Sequence, residues 1–173
     1  AADSPWSGLP AAASPYHPAT RVDPPLRSPA DALLLADALS VGHVQALTSG
    51  HSPRGPEDAD LPYGEVPPGV STIETCLPLA LAAVDAGVVP LLVAARALTS
   101  APAEIAQLRE GQPLSEGMTA DLVLVDRQRE WKIDRRSLHS HGRNTPLFAS
   151  VLRGQVLLTI AEGRVAWLEE ENA

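Results

Sequence analysis

Four short runs of strand-forming residues lie together at the C-terminal end of the chain, after a stretch whose apolar pattern favours helices. The runs are rich in Val, Leu, Ile and Trp and are separated by Gly and charged residues, as in strands joined by turns. They read ADLVLVD, EWKID, GQVLLTIAEG and RVAWLEE. Before them, apolar residues recur at helical spacing between residues 28 and 108. This order predicts an α/β fold in which a small β domain, residues 119–173, follows a helical part.

The helical part has a well-marked beginning. Ser28 is a candidate N-cap and Pro29 stands at the first helical position, and the apolar pattern ends near Gly42. The following segment, residues 43–50, has the length of a strand and runs into the polar sequence Gly-His-Ser-Pro. Further helices are expected over residues 72–86, 90–100 and 102–108.

Two segments carry too much proline and glycine for regular structure. The chain has 17 prolines in 173 residues, about twice the usual share of roughly 5%. Residues 1–20 hold four of them without any hydrophobic periodicity, so we expect coil there. Residues 54–70 hold four prolines and three glycines. A loop of that length inside a compact domain is typical of a functional lid or of a disordered segment.

Charge and hydropathy exclude several classes of function. The chain has 13 basic and 21 acidic residues, and its net charge of -8 repels the phosphate backbone of nucleic acids. Its longest apolar stretch, Cys76–Leu98, contains Asp85, Pro90 and Arg96, so we expect soluble helices and no membrane span. Because Cys76 is the single cysteine, no disulfide forms within the chain, which fits a cytoplasmic protein.

Five blocks, in order along the chain, resemble dihydroorotases of the amidohydrolase superfamily. The block LTSGHSPRG is similar to the threonine-aspartate-histidine motif after strand eight of their (β/α)8 barrel, and Asn144-Thr145-Pro146 favours dihydroorotases over allantoinases. The blocks span residues 21–39, 47–55, 67–81, 100–126 and 143–165. The resemblance, specifically to the shorter-lid type associated with carbamoyltransferases, implies the C-terminal portion of a barrel over residues 21–118, including the lid loop 54–70, and then a small composite β domain. A complete barrel needs about 250 residues.

The family opens a cyclic amide with water, which needs an activated nucleophile and a proton carrier. Zinc lowers the pKa of bound water to about 7. The resemblance implies that most zinc ligands lie on barrel strands upstream of this chain, so no cofactor is expected within it. The family's remaining ligand and general base is an aspartate, and Gly50 stands at that position. Since glycine can neither bind a metal nor carry a proton, we expect the isolated chain to be inactive.

The resemblance also implies substrate-binding positions, of which two have changed. Asp23 replaces an asparagine that would donate a hydrogen bond to the ring, and a carboxylate cannot donate unless it is protonated. Arg54 replaces a histidine that would contact the substrate carboxylate, and its guanidinium could still bind an anion. Pro68 and Gly69 match lid positions whose backbone touches the ring.

Several other polar residues have simpler interpretations than a site. His139 and His141 form a His-x-His pair, but they lie in the loop before Asn144, and we interpret them as surface residues. His51 and Ser52 are interpreted as a structural turn, because the sequence implies no acidic partner for a serine nucleophile.

Three further features of the sequence also need an interpretation. Arg21, Arg27 and Arg54 are a hypothetical anion-binding cluster, with ordinary surface arginines as the alternative. We interpret Cys76 as an inert thiol within a packed helix. The acidic run at residues 169–171 reads as a solvated tail.

A partner is expected, because a lone last barrel strand leaves unpaired edges on both sides. It is an N-terminal dihydroorotase half or a second copy of the chain. Three functions remain open: a non-catalytic C-terminal segment in pyrimidine biosynthesis, a scaffold that supports aspartate carbamoyltransferase, and an active dihydroorotase completed in trans. Gly50 favours the scaffold over the active enzyme.

Overall fold

The computed structural model describes residues 16–58, 61–108 and 114–169, and within them four α-helices precede a three-stranded sheet. The helices are α1 (Pro29–Ser40), α2 (Cys76–Asp85), α3 (Leu91–Leu98) and α4 (Ser100–Ile105), and the strands are β1 (Leu122–Lys132), β2 (Val151–Ala161) and β3 (Arg164–Leu168). Short 3-10 turns cover Pro18–Thr20 and Pro56–Asp58. The predicted α/β class is confirmed. Most of the coil predicted for residues 1–20 lies outside the described residues.

Helix α1 begins where the sequence predicts. The Ser28 Oγ accepts a hydrogen bond from the Asp31 backbone N–H at 3.2 Å, and the Asp31 carboxylate accepts one from the Ser28 N–H at 3.3 Å. This reciprocal capping box satisfies two backbone donors that a helix start leaves free. The helix ends at Ser40, two residues before Gly42, which has φ +84°.

Replacing Ser28 with alanine is expected to lower the free energy of unfolding by about 1 kcal/mol, because the Asp31 N–H loses its acceptor. Urea denaturation measures the change as a lower midpoint at constant slope. The matched variant Ser28→Asp keeps a capping oxygen and should retain most of the stability. Equal losses in both variants would show that the cap contributes nothing.

The other helices differ from the predicted ranges at their ends. The helix expected over residues 72–86 begins at Cys76, because the preceding residues form a turn in which the Thr75 and Cys76 N–H groups both bond to the Thr72 carbonyl. The helix expected over 90–100 divides at Thr99, whose φ of -130° and ψ of -91° are not helical. Helix α4 begins at Ser100, two residues before the predicted start.

Residues 43–50, expected as a strand, form no ladder in the described chain. The Leu47 N–H donates to the Ala97 carbonyl at 2.9 Å, and the bridge in this region pairs His51 with Val70 in parallel. A strand exists only beside another strand that exchanges backbone hydrogen bonds with it. Because no described strand lies alongside residues 43–50, the segment follows an irregular path.

The four strand-forming runs make three strands in the described chain. The first two join into the long strand β1, which pairs antiparallel with β2, and β2 pairs antiparallel with β3. The register of β1 shifts between Asp126 and Glu130. There the Asp126 Oδ1 accepts from the backbone N–H groups of Gln128 and Arg129, at 2.8 and 3.2 Å. This local turn lets the chain pass the irregularity without leaving the sheet.

Two apolar clusters hold the elements in place. The first cluster holds α1 against α3. It contains Leu39 of α1, Val89 just before α3, and the alanines around them. The second contains Ile133, Leu138 and Leu147, and it fixes the loop between β1 and β2. Helix α2 packs on β2, where a side chain at Gly154 would meet Leu81. In the described part of the chain, no helix is long and apolar enough to cross a membrane.

Candidate functional site

Three loops meet at the site that the sequence blocks mark: residues 50–54, residues 68–71 and residues 142–144. Backbone hydrogen bonds join them, from the Ser52 N–H to the Val70 carbonyl at 2.9 Å and from the Ser71 N–H to the Asn144 carbonyl at 3.1 Å. The Gly69 N–H donates to the carbonyl of Arg21 at 2.8 Å. The structure therefore brings the first, second, third and fifth blocks together.

Gly50 lies exposed at the start of this junction, with φ +59°. A Cβ atom built there has no heavy atom within 4 Å. The Gly50 N–H donates weakly to the Thr48 Oγ1 at 3.4 Å. The position therefore has room for a side chain, but glycine brings no group that could act on a substrate.

His51 is bound to the backbone that leads into α2. Its Nδ1 accepts hydrogen bonds from the N–H groups of Thr72, at 3.1 Å, and Ile73, at 3.2 Å. The Thr72 Oγ1 donates in turn to the Ser49 carbonyl at 2.6 Å. These contacts agree with the interpretation of His51 as part of a structural turn.

Arg54 connects two of the loops to the N-terminal turn. Its Nη2 donates to the carbonyls of Pro18, at 3.0 Å, and Gly69, at 3.2 Å, and its backbone N–H donates to the Asn144 Oδ1 at 2.8 Å. Burial is the main reason why the pKa of Arg54 lies below its ordinary value; Asp58 opposes this shift. Its Nε is buried and has no partner among the described residues. The guanidinium therefore donates two hydrogen bonds to backbone carbonyls, and anion binding by Arg54 stays a prediction.

The three arginines of the hypothetical cluster do not all come together. The charge of Arg21 contributes to lowering the pKa of Arg54, and its Nη1 donates to the Tyr63 carbonyl at 2.8 Å. Arg27 is exposed instead and pairs with Asp31 of α1 at 3.4 Å. The cluster thus reduces to Arg21 and Arg54.

The remaining positions implied by the resemblance flank one hydrogen bond. Asp23 and Pro68 are exposed, and each lies within two residues of the bond between the Gly69 N–H and the Arg21 carbonyl. Gly69 is buried, with φ +152°, and a Cβ there would lie 2.6 Å from the Ser52 carbonyl oxygen. Only glycine allows this close approach of two backbones.

Sequence reasoning missed the part played by two polar residues at this junction. The side chain of Asn144 contacts both of the other loops, and the buried Ser71 hydroxyl lies 2.6 Å from the Gly142 carbonyl and 2.8 Å from the Asn144 Oδ1. The sequence signal for Asn144 was the Asn144-Thr145-Pro146 motif, which was used only to distinguish dihydroorotases from allantoinases.

The other polar residues lie away from the junction or at the surface. His139 and His141 are exposed, and the His139 ring contacts Trp167 edge-on with centroids 5.0 Å apart. Burial raises the pKa of the Cys76 thiol, which favours the unreactive protonated form. Glu169, directly after β3, accepts a hydrogen bond from Gln155 of β2 at 2.7 Å, so this residue is held against the sheet, and the rest of the acidic run lies outside the described residues.

The described residues do not by themselves fit a metal centre. Among them, no group of three or more His, Cys, Asp and Glu side chains lies close enough to hold a metal ion. Gly50, having no side chain, adds no donor atom.

No model of a protein family matches the chain, but individual proteins do. A dihydroorotase from Syntrophus aciditrophicus is 32% identical over 151 residues, which are 87% of this chain and 35% of that protein. A dihydroorotase from Anaeromyxobacter dehalogenans is 33% identical over 159 residues, 92% of this chain and 36% of the relative. The chain spans about a third of the length of the curated relatives it matches.

Solved structures agree on the fold. The L-hydantoinase (dihydropyrimidinase) of Arthrobacter aurescens is 26% identical and superposes with a TM-score of 0.80 over 89% of this chain and 35% of its own. The dihydropyrimidinase of Brevibacillus agri, 23% identical, has a TM-score of 0.77 over 87% of this chain and 34% of its own, and shows the fold alone. The resemblance is confirmed: the chain is a partial relative of the dihydroorotases, matching their C-terminal portion, with the fold of the amidohydrolase superfamily.

Proposed function

We propose that this chain is the C-terminal part of a dihydroorotase-like hydrolase of pyrimidine biosynthesis and is not catalytic by itself. The observation that carries the proposal is that Gly50 is exposed, with open space beside it and no side chain. The sequence resemblance assigns to this position the aspartate that binds zinc and moves a proton in the family. The neighbouring His51 cannot serve through Nδ1, because two backbone N–H groups already occupy that atom. A cytoplasmic location fits the single cysteine.

The role that the geometry supports is to shape one side of a substrate site. Gly69 lies at the lid exit, and Arg54 fixes its carbonyl relative to residues 50–54. The substrate would be a cyclic amide with a carboxylate, dihydroorotate or its open form, carbamoyl aspartate. Arg54 and Arg21 supply positive charge on this side of the junction, which favours an anionic substrate.

Exposed leucines support a partner that completes the barrel. Leu33, Leu34 and Leu35 of α1 are 52%, 68% and 56% exposed, and Leu92 of α3 is 81% exposed. Consecutive helical residues point about 100° apart, so one neighbouring element cannot cover all three leucines of α1. Apolar surface of this kind marks contacts with other protein segments. We propose that an N-terminal dihydroorotase half covers it, with a second copy of the chain as the alternative.

The test compares the chain alone with the chain supplied with the missing half. The N-terminal two thirds of the Syntrophus aciditrophicus relative are co-expressed with it, and conversion of dihydroorotate and carbamoyl aspartate is followed by chromatography. We expect no conversion by the isolated chain and a stable complex with the added half. A chimera that joins the two parts covalently covers the case in which separate chains do not assemble. Turnover by the isolated chain would contradict the proposal.

Gly50 also favours a second function, that of a scaffold for aspartate carbamoyltransferase. A scaffold needs no general base, so Gly50 would be tolerated there. The expected result is co-purification with aspartate carbamoyltransferase at micromolar concentrations, with no turnover of dihydroorotate in the complex. Absence of binding at those concentrations would remove the scaffold from consideration.

A further inference from the structure

The side-chain amide of Asn144 makes hydrogen bonds through both its oxygen and its nitrogen. On one side, Oδ1 accepts from the Arg54 backbone N–H at 2.8 Å and lies 2.8 Å from the Ser71 Oγ. On the other side, Nδ2 donates to the Gly69 carbonyl at 2.9 Å and lies 3.5 Å from the Ser52 carbonyl. Two donors therefore face one end of the amide and two acceptors face the other. Among side chains of this size, only asparagine offers a neutral acceptor and a donor in that arrangement without first binding a proton.

The loop that carries Asn144 is itself fixed to the β domain. Thr145 and Leu147 are buried, and Leu147 packs with Ile133 and Leu138 in the second apolar cluster. The Thr145 Oγ1 accepts a hydrogen bond from the Leu147 N–H at 3.3 Å. Asn144 therefore extends from a buried and packed part of the β domain.

The neighbouring backbone approaches closely at the same place. A Cβ built on Gly142 would lie 2.8 Å from the Arg54 backbone nitrogen. The Gly142 carbonyl lies 2.6 Å from the Ser71 Oγ, and the Asn144 carbonyl accepts the Ser71 N–H at 3.1 Å. Side-chain and main-chain contacts thus hold residues 142–144 against both other loops.

We propose that Asn144 is a positioning residue through which the C-terminal β domain sets the place of the segment after Gly50 and of the lid exit at Gly69. It acts through the Arg54 N–H and the Gly69 carbonyl rather than by touching a substrate. The inference concerns the position of the loops, and it holds whether or not the chain takes part in hydrolysis.

The test replaces Asn144 with aspartate and measures amide hydrogen exchange of Arg54 and Ser71 between about pH 4 and pH 8, relative to intrinsic rates. A protonated carboxyl donates to the Gly69 carbonyl as the amide does. An ionised carboxylate cannot donate and faces two carbonyl oxygens. We expect near-normal protection at low pH and about a tenfold loss of protection as the carboxyl ionises. The charged groups at this junction are the guanidiniums of Arg54 and Arg21 and the Asp58 carboxylate, which interacts with Arg54.

Two other proteins serve as controls. The unmodified chain carries the same neighbouring residues, including His51 and His141, so it corrects for any effect of pH that does not come from residue 144, and it should keep its protection throughout. Asn144→Leu has a similar shape but no polar atoms, and it should lose protection equally at every pH. The inference is overturned if Asn144→Asp matches the unmodified chain at all pH values, or if it loses protection equally in β2 and at Arg54. The aspartate variant decides the matter even where the leucine variant does not fold.

Discussion

Replacing Gly50 with aspartate, in the complex with the N-terminal half, is expected to increase zinc content and raise dihydroorotate turnover by about 10²- to 10⁴-fold, the usual range for a general acid-base group. The space beside Gly50 is open, so a carboxylate fits without moving a neighbour. The φ of +59° costs roughly 1–2 kcal/mol for most residues, but aspartate is among those that adopt it most readily. The measurements are bound zinc per complex and initial rates of turnover.

The matched control is Gly50→Asn. Asparagine has the same shape and tolerates the same backbone conformation, but its neutral amide is a poor metal ligand and does not act as a base. Only the aspartate variant should therefore gain zinc or activity. If aspartate brings neither, while the complex assembles, the loss of function lies in other residues and Gly50 is not its cause.

Replacing Gly69 with alanine is expected to lower the free energy of unfolding by about 2 to 6 kcal/mol, the sum of overpacking and backbone strain. The added methyl group would lie 2.6 Å from the Ser52 carbonyl oxygen, and the φ of +152° is unfavourable for alanine. Since the close neighbour is backbone, the two loops must separate. Thermal or urea unfolding gives the stability, and amide exchange at Ser52 and Ser71 locates the damage.

Gly64 provides the comparison within the same long loop. Nothing lies within 4 Å of a Cβ built there, and its φ is not in the left-handed region. Gly64→Ala should change stability by no more than about 0.5 kcal/mol. A similar loss in both variants would mean that the loop as a whole resists substitution and that the contact between Gly69 and Ser52 has no special importance.

The sequence pattern predicted which parts of the chain are helical and which form strands better than it predicted where each helix and strand begins and ends. Ser28 and Pro29 mark the start of α1 because capping depends on neighbouring residues alone. Residues 43–50 differ, because a ladder depends on a second strand that the segment itself does not encode. The union of two runs into β1 likewise depends on the turn that Asp126 makes with its own neighbours inside a paired sheet.

The site was predicted as a set of positions but not as a network. The resemblance pointed to Gly50, Arg54 and Gly69, and the structure places all three at one junction. The resemblance did not predict that Arg54 would donate to backbone carbonyls, because those contacts join residues 15 and 36 positions apart in the sequence. The part of Asn144, 90 residues from Arg54, depends on the same long-range packing.

The central position of β2 leaves one side of β1 free along its full length in the described sheet, and the two halves of that edge differ in chemistry. The half after the register shift carries Glu130 and Lys132, and charges on an edge discourage pairing with another strand. The half before it, Leu122–Val125, is entirely apolar. An incoming strand would therefore dock at the beginning of β1 and end at Asp126, which limits the length of any sheet extended from this side.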